Sequence, residues 1–94
     1  MFYPEFSIGF KKEYKKLIKN NKIIEKRIDI ALDKLLKSPE SVSHKVGEVW
    51  SCRVTGDIRI IWEYKDGELV LLLLKIGGHN DDVLKKLQLA NFIG

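Results

Sequence analysis

The chain is poor in the residues that build disulfide frameworks and metal centres. Its 94 residues include one cysteine and two histidines. A single cysteine cannot form an internal disulfide, so nothing links the chain to an oxidising compartment. The two histidines lie far apart along the chain and lack the spacing of zinc ligands. We therefore predict no metal site and no cofactor.

Long apolar runs are also absent. The longest run, residues 69–74, is far shorter than the ~20 residues that a membrane-spanning helix needs. The first residues lack the basic start and the apolar stretch of a secretory signal. We expect a cytoplasmic protein that makes no membrane contact. We also expect one domain over residues 1–94, because the chain is too short for a second core.

Charge is abundant and unevenly distributed. Lysine and arginine number 17 against 13 acidic residues, which gives a net charge of +4. Residues 1–47 hold 11 of the cationic residues and only 6 of the acidic ones, so the excess lies in the N-terminal half. A basic surface suits a polyanion or an acidic protein partner. A solvated helix face accounts for these lysines equally well.

Two helices are predicted in the N-terminal half. Ser7 and Asn21 are favourable N-caps for the first and the second helix. The second helix should end near Lys37, since Ser38 precedes a proline and is disfavoured in the helical conformation. Apolar residues recur at helical spacing in both segments: Phe10, Tyr14, Leu17 and Ile18, then Ile24, Ile28, Ala31, Leu32 and Leu35. The pair is expected to form a helical hairpin with two inward faces.

The C-terminal half predicts strands. Residues 50–62 alternate apolar and polar side chains on both sides of a glycine turn, which indicates a β-hairpin. With a three-residue loop over residues 55–57, every large apolar side chain falls on one face. That register places Trp50 opposite Trp62, Cys52 opposite Ile60, and Arg53 opposite Arg59. A two-residue loop would mix the two faces.

The remaining segments complete the predicted fold. Residues 2–6 are predicted as a short edge strand, residues 38–47 as a loop, residues 68–76 as a central strand, and residues 80–89 as a short helix. The fold class is therefore α+β. We predict two N-terminal helices packed on a mostly antiparallel sheet of about four strands, with a short C-terminal helix.

The predicted hairpin places two arginines directly opposite each other. Like charges in that position cost up to about 1 kcal/mol. An anion bound between Arg53 and Arg59 would account for the arrangement. The alternatives are neutralisation of the pair by Glu63 on the same face, or extension of both side chains into solvent.

An ordered set of segments resembles a known superfamily. The stretch from Trp50 to Trp62, WSCRVTGDIRIIW, is followed by an apolar strand, by Gly77-Gly78-His79 and by the predicted short helix. This set resembles the RelE/ParE toxins of bacterial type II toxin–antitoxin systems, and the two preceding helices also fit. Resemblance to the RelE-like mRNA interferases implies a RelE-like fold and a metal-independent endoribonuclease that cleaves mRNA on the ribosome. It also implies a cognate antitoxin protein that wraps the toxin and covers its site.

The resemblance implies site residues as well. Arg59 matches the strand arginine of the family, and His79 sits where the family often has a histidine or another basic residue. Asp57 and His44 match acid–base positions of a histidine-rich branch of the family. Where that branch has a further histidine, this chain has Arg53. Where family members often carry a tyrosine or phenylalanine a few residues after His79, this chain has none. We predict Arg59, His79, Arg53, His44 and Asp57 as catalytic residues, and Lys45 and Lys75 as RNA contacts.

These residue types suit RNA cleavage without a metal. Attack of a ribose 2′-OH on its phosphate needs a base, an acid and cations around the transition state. Histidine titrates near the working pH, and arginine presents a planar fork to phosphate. Simpler roles stay open: capping of a turn for His79, a plain loop position for His44, and closure of the turn for Asp57.

Two other functions use the same scaffold. A ParE-like toxin inhibits DNA gyrase by binding it, and a non-catalytic binding module would need no acid or base. The histidine after the last strand, together with the pair of strand arginines, favours the ribonuclease.

Overall fold

The computed structural model describes residues 1–78, which form two helices and one sheet. The elements in chain order are β1 (Tyr3–Phe6), α1 (Ile8–Ile18), α2 (Lys22–Lys37), a 3₁₀ turn (Glu40–Val42), β2 (Ser43–Val46), β3 (Val49–Arg53), β4 (Arg59–Tyr64) and β5 (Val70–Gly77). The strand order is β1-β5-β4-β3-β2. Only the β1–β5 pair within this sheet is parallel. The predicted α+β fold is confirmed, with five strands. The predicted C-terminal helix lies outside the described residues.

The two helices begin where the sequence indicates. The Ser7 hydroxyl accepts a hydrogen bond from the Phe10 backbone N–H at 2.9 Å, and the Asn21 side chain accepts one from Ile24 at 3.1 Å. Such N-caps each contribute about 1 kcal/mol. The second helix ends at Lys37, as predicted from the proline two residues later. Neither helix is long and apolar enough to cross a membrane, and the same holds throughout residues 1–78.

The predicted loop over residues 38–47 is wrong in its second half. Residues 43–46 form β2, which pairs antiparallel with β3 through a tight turn at Gly47, where φ is +62°. The two central residues of β2, His44 and Lys45, are both polar and both exposed, so no apolar alternation marks the strand. Pairing with β3 stabilises this edge strand, and that pairing is not visible in the local pattern.

The core lies between the helices and one face of the sheet. Its buried members are Phe10, Ile28, Leu35, Cys52, Ile58, Ile60, Trp62, Leu71, Leu73 and Ile76. Trp62 stacks on Trp50 with ring centroids 5.4 Å apart, and its indole N–H donates to the Ser43 hydroxyl at 3.0 Å. Burial raises the pKa of the Cys52 thiol, which keeps this side chain a neutral part of the core.

An irregularity in β5 explains why that strand is apolar on both sides. Ile61 pairs with Lys75 and Trp62 pairs with Leu73, so Leu74 is an extra residue in the ladder. Leu73 and Ile76 both face the core although they are three positions apart. After the bulge, Gly77 pairs with the first residue of β4.

Candidate active site

Two rows of side chains cross the sheet on the face opposite to the helices. The arginine row consists of Arg53, Arg59 and Gly77, on β3, β4 and β5. The histidine row consists of His44, Ser51, Ile61 and Lys75, on β2 to β5. The predicted hairpin register, with Arg53 directly opposite Arg59, is confirmed. The sheet therefore brings both predicted arginines and His44 to one face.

The two arginines of the arginine row lack acidic partners. Arg53 is exposed and Arg59 is half-buried. Among the residues that the structure describes, neither guanidinium forms an ion pair, and Glu63 on the same face does not neutralise them. The Nε atom of Arg59 is buried and has no hydrogen-bond partner among residues 1–78. Two like charges face each other across one strand pair, an arrangement that suits a bound anion.

Open space lies beside the half-buried arginine. Gly77 is the cross-strand partner of Arg59 on β5, and a Cβ atom placed on this glycine would meet no atom of residues 1–78 within 4 Å. At the next residue, Gly78, a Cβ atom would lie 3.6 Å from the Asp57 carbonyl oxygen. The end of β5 therefore lies against the β3–β4 turn, and the space beside Arg59 is not filled from β5.

The β3–β4 turn leaves an acidic side chain unengaged. The Thr55 hydroxyl accepts hydrogen bonds from the backbone N–H groups of Asp57, at 3.1 Å, and Ile58, at 3.0 Å. Asp57 is exposed, and within residues 1–78 its carboxylate forms no ion pair. Thr55 supplies the side chain that closes the turn, so turn closure does not account for Asp57.

The other predicted residues are placed differently. His44 is exposed on β2, two strands from β4, which corresponds to about 10 Å between backbones. Lys45 lies on the opposite face, with its ammonium 5.9 Å from the Trp50 ring centroid. By register Lys75 belongs to the histidine row, but its side chain leaves that row: the ammonium lies beside the start of α1, 3.3 Å from where a Cβ atom on Gly9 would be. Neither lysine is brought to the arginine row.

The remaining predicted residue, His79, lies outside the described residues, and its role stays a prediction. The described chain ends at Gly78, next to the turn that carries Asp57. Within residues 1–78, no group of three or more histidine, cysteine or acidic side chains is placed to hold a metal ion.

Two features of the molecule were not found from the sequence. Ser51 is completely buried in the histidine row, and its hydroxyl has no hydrogen-bond partner in the part of the chain that the structure describes. A groove of about 440 Å³ lies between α2 and the end of β3, with four cationic residues in its lining. The groove is lined by Ile23, Lys26, Arg27, Ile30, Ala31, Lys34, Arg53 and Val54. The sequence does carry a signal for this groove: Ile23 and Ile30 lie seven positions apart and outside the core stripe of α2, which indicates a second apolar surface on the helix.

Comparisons with known proteins agree with this fold. The family model of the ParE toxin of the type II toxin–antitoxin system parDE matches residues 5–83. The RelBE toxin–antitoxin complex of E. coli contains a chain that is 17% identical, with a TM-score of 0.69 over 85% of this chain and 99% of that one. A metal-bound toxin from Helicobacter pylori is 24% identical, with a TM-score of 0.70 over 86% and 98% of the two chains.

A third solved structure is a YoeB/ParE toxin from Agrobacterium tumefaciens, which is 13% identical, with a TM-score of 0.71 over 84% of this chain and 100% of that one. At these identities the structural likeness shows the fold alone. No curated protein sequence matches the chain. The family match covers most of the chain and confirms the resemblance to the RelE/ParE toxins, and the structural likeness shows a RelE-like fold. The chain belongs to the family of ParE toxins of type II toxin–antitoxin systems.

Proposed function

We propose that this toxin is an endoribonuclease that cleaves mRNA without a metal ion. The observation that carries the proposal is the arginine row. Arg53 and Arg59 face each other without an acidic partner among the described residues, and open space lies beside Arg59 at Gly77. A phosphodiester offers the negative charge that this arrangement lacks.

The proposed reaction begins with attack of a ribose 2′-OH on the adjacent phosphate. Negative charge increases on the phosphate oxygens in the transition state, and we propose that Arg59 stabilises it. This side chain is half-buried, where charges interact more strongly than in water. Arg53 is exposed and would neutralise the substrate phosphate from the neighbouring strand.

The proton transfers are assigned to groups around this row. A base removes the 2′ proton, and an acid protonates the departing 5′ oxygen. We propose His79 as one of the two groups, since it follows Gly78 beside the β3–β4 turn. The unengaged Asp57 carboxylate and the exposed His44 are the candidates for the second group.

The role of His79 can be separated from a structural one. His79→Gln should keep the melting temperature and lower single-turnover cleavage by about 10²–10⁴-fold, the usual contribution of a general acid or base. A structural histidine would give the reverse result, with a lower melting temperature and normal cleavage by the folded fraction. The reverse result would leave His44 and Asp57 as the proton carriers.

We propose mRNA on the ribosome as the substrate, a setting that the RelE-like resemblance supports. The test is induction of the chain, pulse labelling of new protein, and mapping of mRNA 5′ ends in codons held by ribosomes. Protein synthesis should fall first, with new mRNA ends. Induction of Arg59→Ala to the same level is the control and should produce neither effect.

A second candidate function is inhibition of DNA gyrase. The family model that matches residues 5–83 is of the ParE type, and this match is the observation that favours the alternative. The same induction experiment separates the two functions. Early accumulation of gyrase-linked DNA breaks with intact mRNA would assign the chain to gyrase inhibition and refute the ribonuclease proposal.

We propose a cognate antitoxin as the protein partner, as in the solved RelBE complex. The groove beside α2 supports an acidic, amphipathic segment as the part that binds. Among residues 1–78, four cationic residues and no carboxylate line the groove, and Ile23 and Ile30 are 73% and 47% exposed. Because Arg53 belongs both to the groove and to the arginine row, a partner seated there would also cover the proposed site.

The antitoxin proposal is tested by charge reversal. Lys26→Glu combined with Lys34→Glu should weaken the complex with the product of the neighbouring gene, measured by calorimetry. The matched control reverses two exposed charges away from the groove, Lys12→Glu with Lys19→Glu, and should leave the affinity unchanged. Equal affinities for both double variants would refute the groove as the binding surface.

A further inference from the structure

Ser51 is an unusual residue for the interior of a strand. It is the buried polar residue of the described chain, with 0% of its surface exposed. Its hydroxyl makes no hydrogen bond to any other residue of the described range, 1–78. A buried hydroxyl without a partner costs folding free energy, and an alanine methyl group in the same place does not. Packing alone therefore gives no reason for a serine at this position.

A neighbour of Ser51 on the same face of the sheet, Arg59, carries an unsatisfied hydrogen-bond donor. Ser51 lies directly opposite His44 on one side and Ile61 on the other. Arg59 is the diagonal neighbour, two residues before Ile61 on β4, at a typical Cα distance of about 7–8 Å. The Nε–H of Arg59 is also buried without a partner. An unsatisfied donor and an unsatisfied acceptor thus occupy adjacent positions on one face.

Their chemistry is complementary. A serine hydroxyl accepts a hydrogen bond and can donate another, and the Nε–H of arginine only donates. When a serine holds Nε–H, the two terminal nitrogens of the guanidinium stay available as a fork for two phosphate oxygens. The plane of the fork is then set by the serine and by the strand that carries it.

We infer that Ser51 is a positioning residue for Arg59, accepting its Nε–H and orienting the guanidinium when an anionic substrate is bound. This inference rests on the proposed function, because it requires Arg59 to act on a phosphate. Ser51 does not touch the reacting atoms. Ser51 affects the rate only by orienting the guanidinium of Arg59. A misplacement of that group by about 1 Å can lower the rate by up to about 100-fold.

The inference predicts opposite effects on stability and on activity. Ser51→Ala removes an unsatisfied buried hydroxyl, so the melting temperature should stay equal or rise by a few degrees. Single-turnover cleavage should nevertheless fall by about 10-fold to 100-fold, with little change in substrate affinity. Ser51→Cys keeps the volume but is a weak acceptor, and should lose activity in the same way.

Ser43→Ala is the matched control, because Ser43 is the serine of β2 that has a partner. Its hydroxyl accepts the indole N–H of Trp62 on the helix side of the sheet. Ser43→Ala should lower the melting temperature and leave cleavage by the folded protein unchanged. Ser43→Ala is thus expected to lower stability and Ser51→Ala to keep or raise it, with activity lost only at Ser51.

A double variant tests whether Ser51 acts through Arg59. Cleavage by Ser51→Ala/Arg59→Ala should match that of Arg59→Ala alone, because Ser51 has no guanidinium to orient once Arg59 is replaced. Full cleavage by Ser51→Ala, or a loss that adds fully to that of Arg59→Ala, would overturn the positioning role and leave the proposed function standing. Full cleavage by Arg59→Ala would refute the proposed function itself, and the inference with it.

Discussion

The two faces of the sheet differ in how completely their polar groups are satisfied. On the helix side, the indole N–H of Trp62 meets the Ser43 hydroxyl, and large apolar side chains fill the space below the helices. On the opposite side, Ser51 and Arg59 bury polar atoms without partners, and two arginines face each other. Successive residues of β3 and β4 contribute to different faces. The packed core and the proposed site therefore occupy alternate positions of the same strands.

The largest expected effect is on the helix side. Trp62→Ala removes a completely buried side chain and should lower the free energy of unfolding by about 3–5 kcal/mol. For a domain of this size that is a large share of the total. Urea unfolding measures the loss. The control is Glu63→Ala, the next residue on the opposite face, which should change stability by no more than ~0.5 kcal/mol. Equal losses at both positions would contradict the division between the faces.

The second largest effect is on the opposite side and concerns activity. Arg59→Ala should lower single-turnover cleavage by about 10²–10³-fold, the usual cost of losing one donor to a transition-state anion. Its stability should stay equal or rise, because a buried unsatisfied group and a like-charge contact are both removed. Lys12→Ala removes an exposed charge on α1 and should leave both quantities unchanged. A folded Arg59→Ala protein that still arrests growth would refute this prediction.

A smaller effect is expected where the open space lies. Gly77→Val places a branched side chain beside Arg59 and should reduce cleavage on the order of 10-fold. Stability should not fall, because valine favours a strand and glycine does not. Gly77→Ala fills less of the space and should reduce cleavage less. A series in which alanine and valine both cleave at the normal rate would show that the substrate does not enter this space.

The smallest effect concerns the pH dependence of stability on the helix side. Burial, followed by the hydrogen bond and charge of Glu40, raises the pKa of Tyr64 from 10.0 to about 12. The folded protein thus holds this proton more tightly than the unfolded chain. The contribution of this pKa shift to the free energy of unfolding is fully present below pH 10 and is lost as the pH rises from 10 to about 12.

Tyr64→Phe isolates that contribution. The variant should lose about 1 kcal/mol at neutral pH with the hydrogen bond to Glu40, which is 2.5 Å long in the wild type. Its stability should then decline less steeply than that of the wild type between pH 10 and about pH 12. Urea midpoints measured across this range for both proteins give the comparison. Parallel curves would mean that Tyr64 titrates at its ordinary pKa.

Much of the fold followed from local patterns. The hairpin register was predictable because only one loop length places Trp50, Cys52, Ile60 and Trp62 on one face. Both helix N-caps were predictable because a capping side chain acts within three residues of its own position. The two arginines of the site followed from the same register, since a strand alternates its side chains between two faces.

Other features depend on residues far apart in the sequence, and the local pattern does not contain them. Tyr3 pairs with Val70 in a parallel arrangement, and β2 is a strand only because β3 lies beside it. The sequence indicated the elements but not these neighbours, because alternation specifies the face of a side chain and not the partner of its strand.

The sequence by itself determined the helices, the hairpin, its register and the residue types of the site. Only the tertiary structure decided which of those residues meet. It placed Lys45 and Lys75 away from the arginine row and buried Ser51 diagonally across from Arg59. The physical reason is that burial and hydrogen-bond satisfaction depend on everything packed around an atom, and strands from distant parts of the chain supply that surrounding.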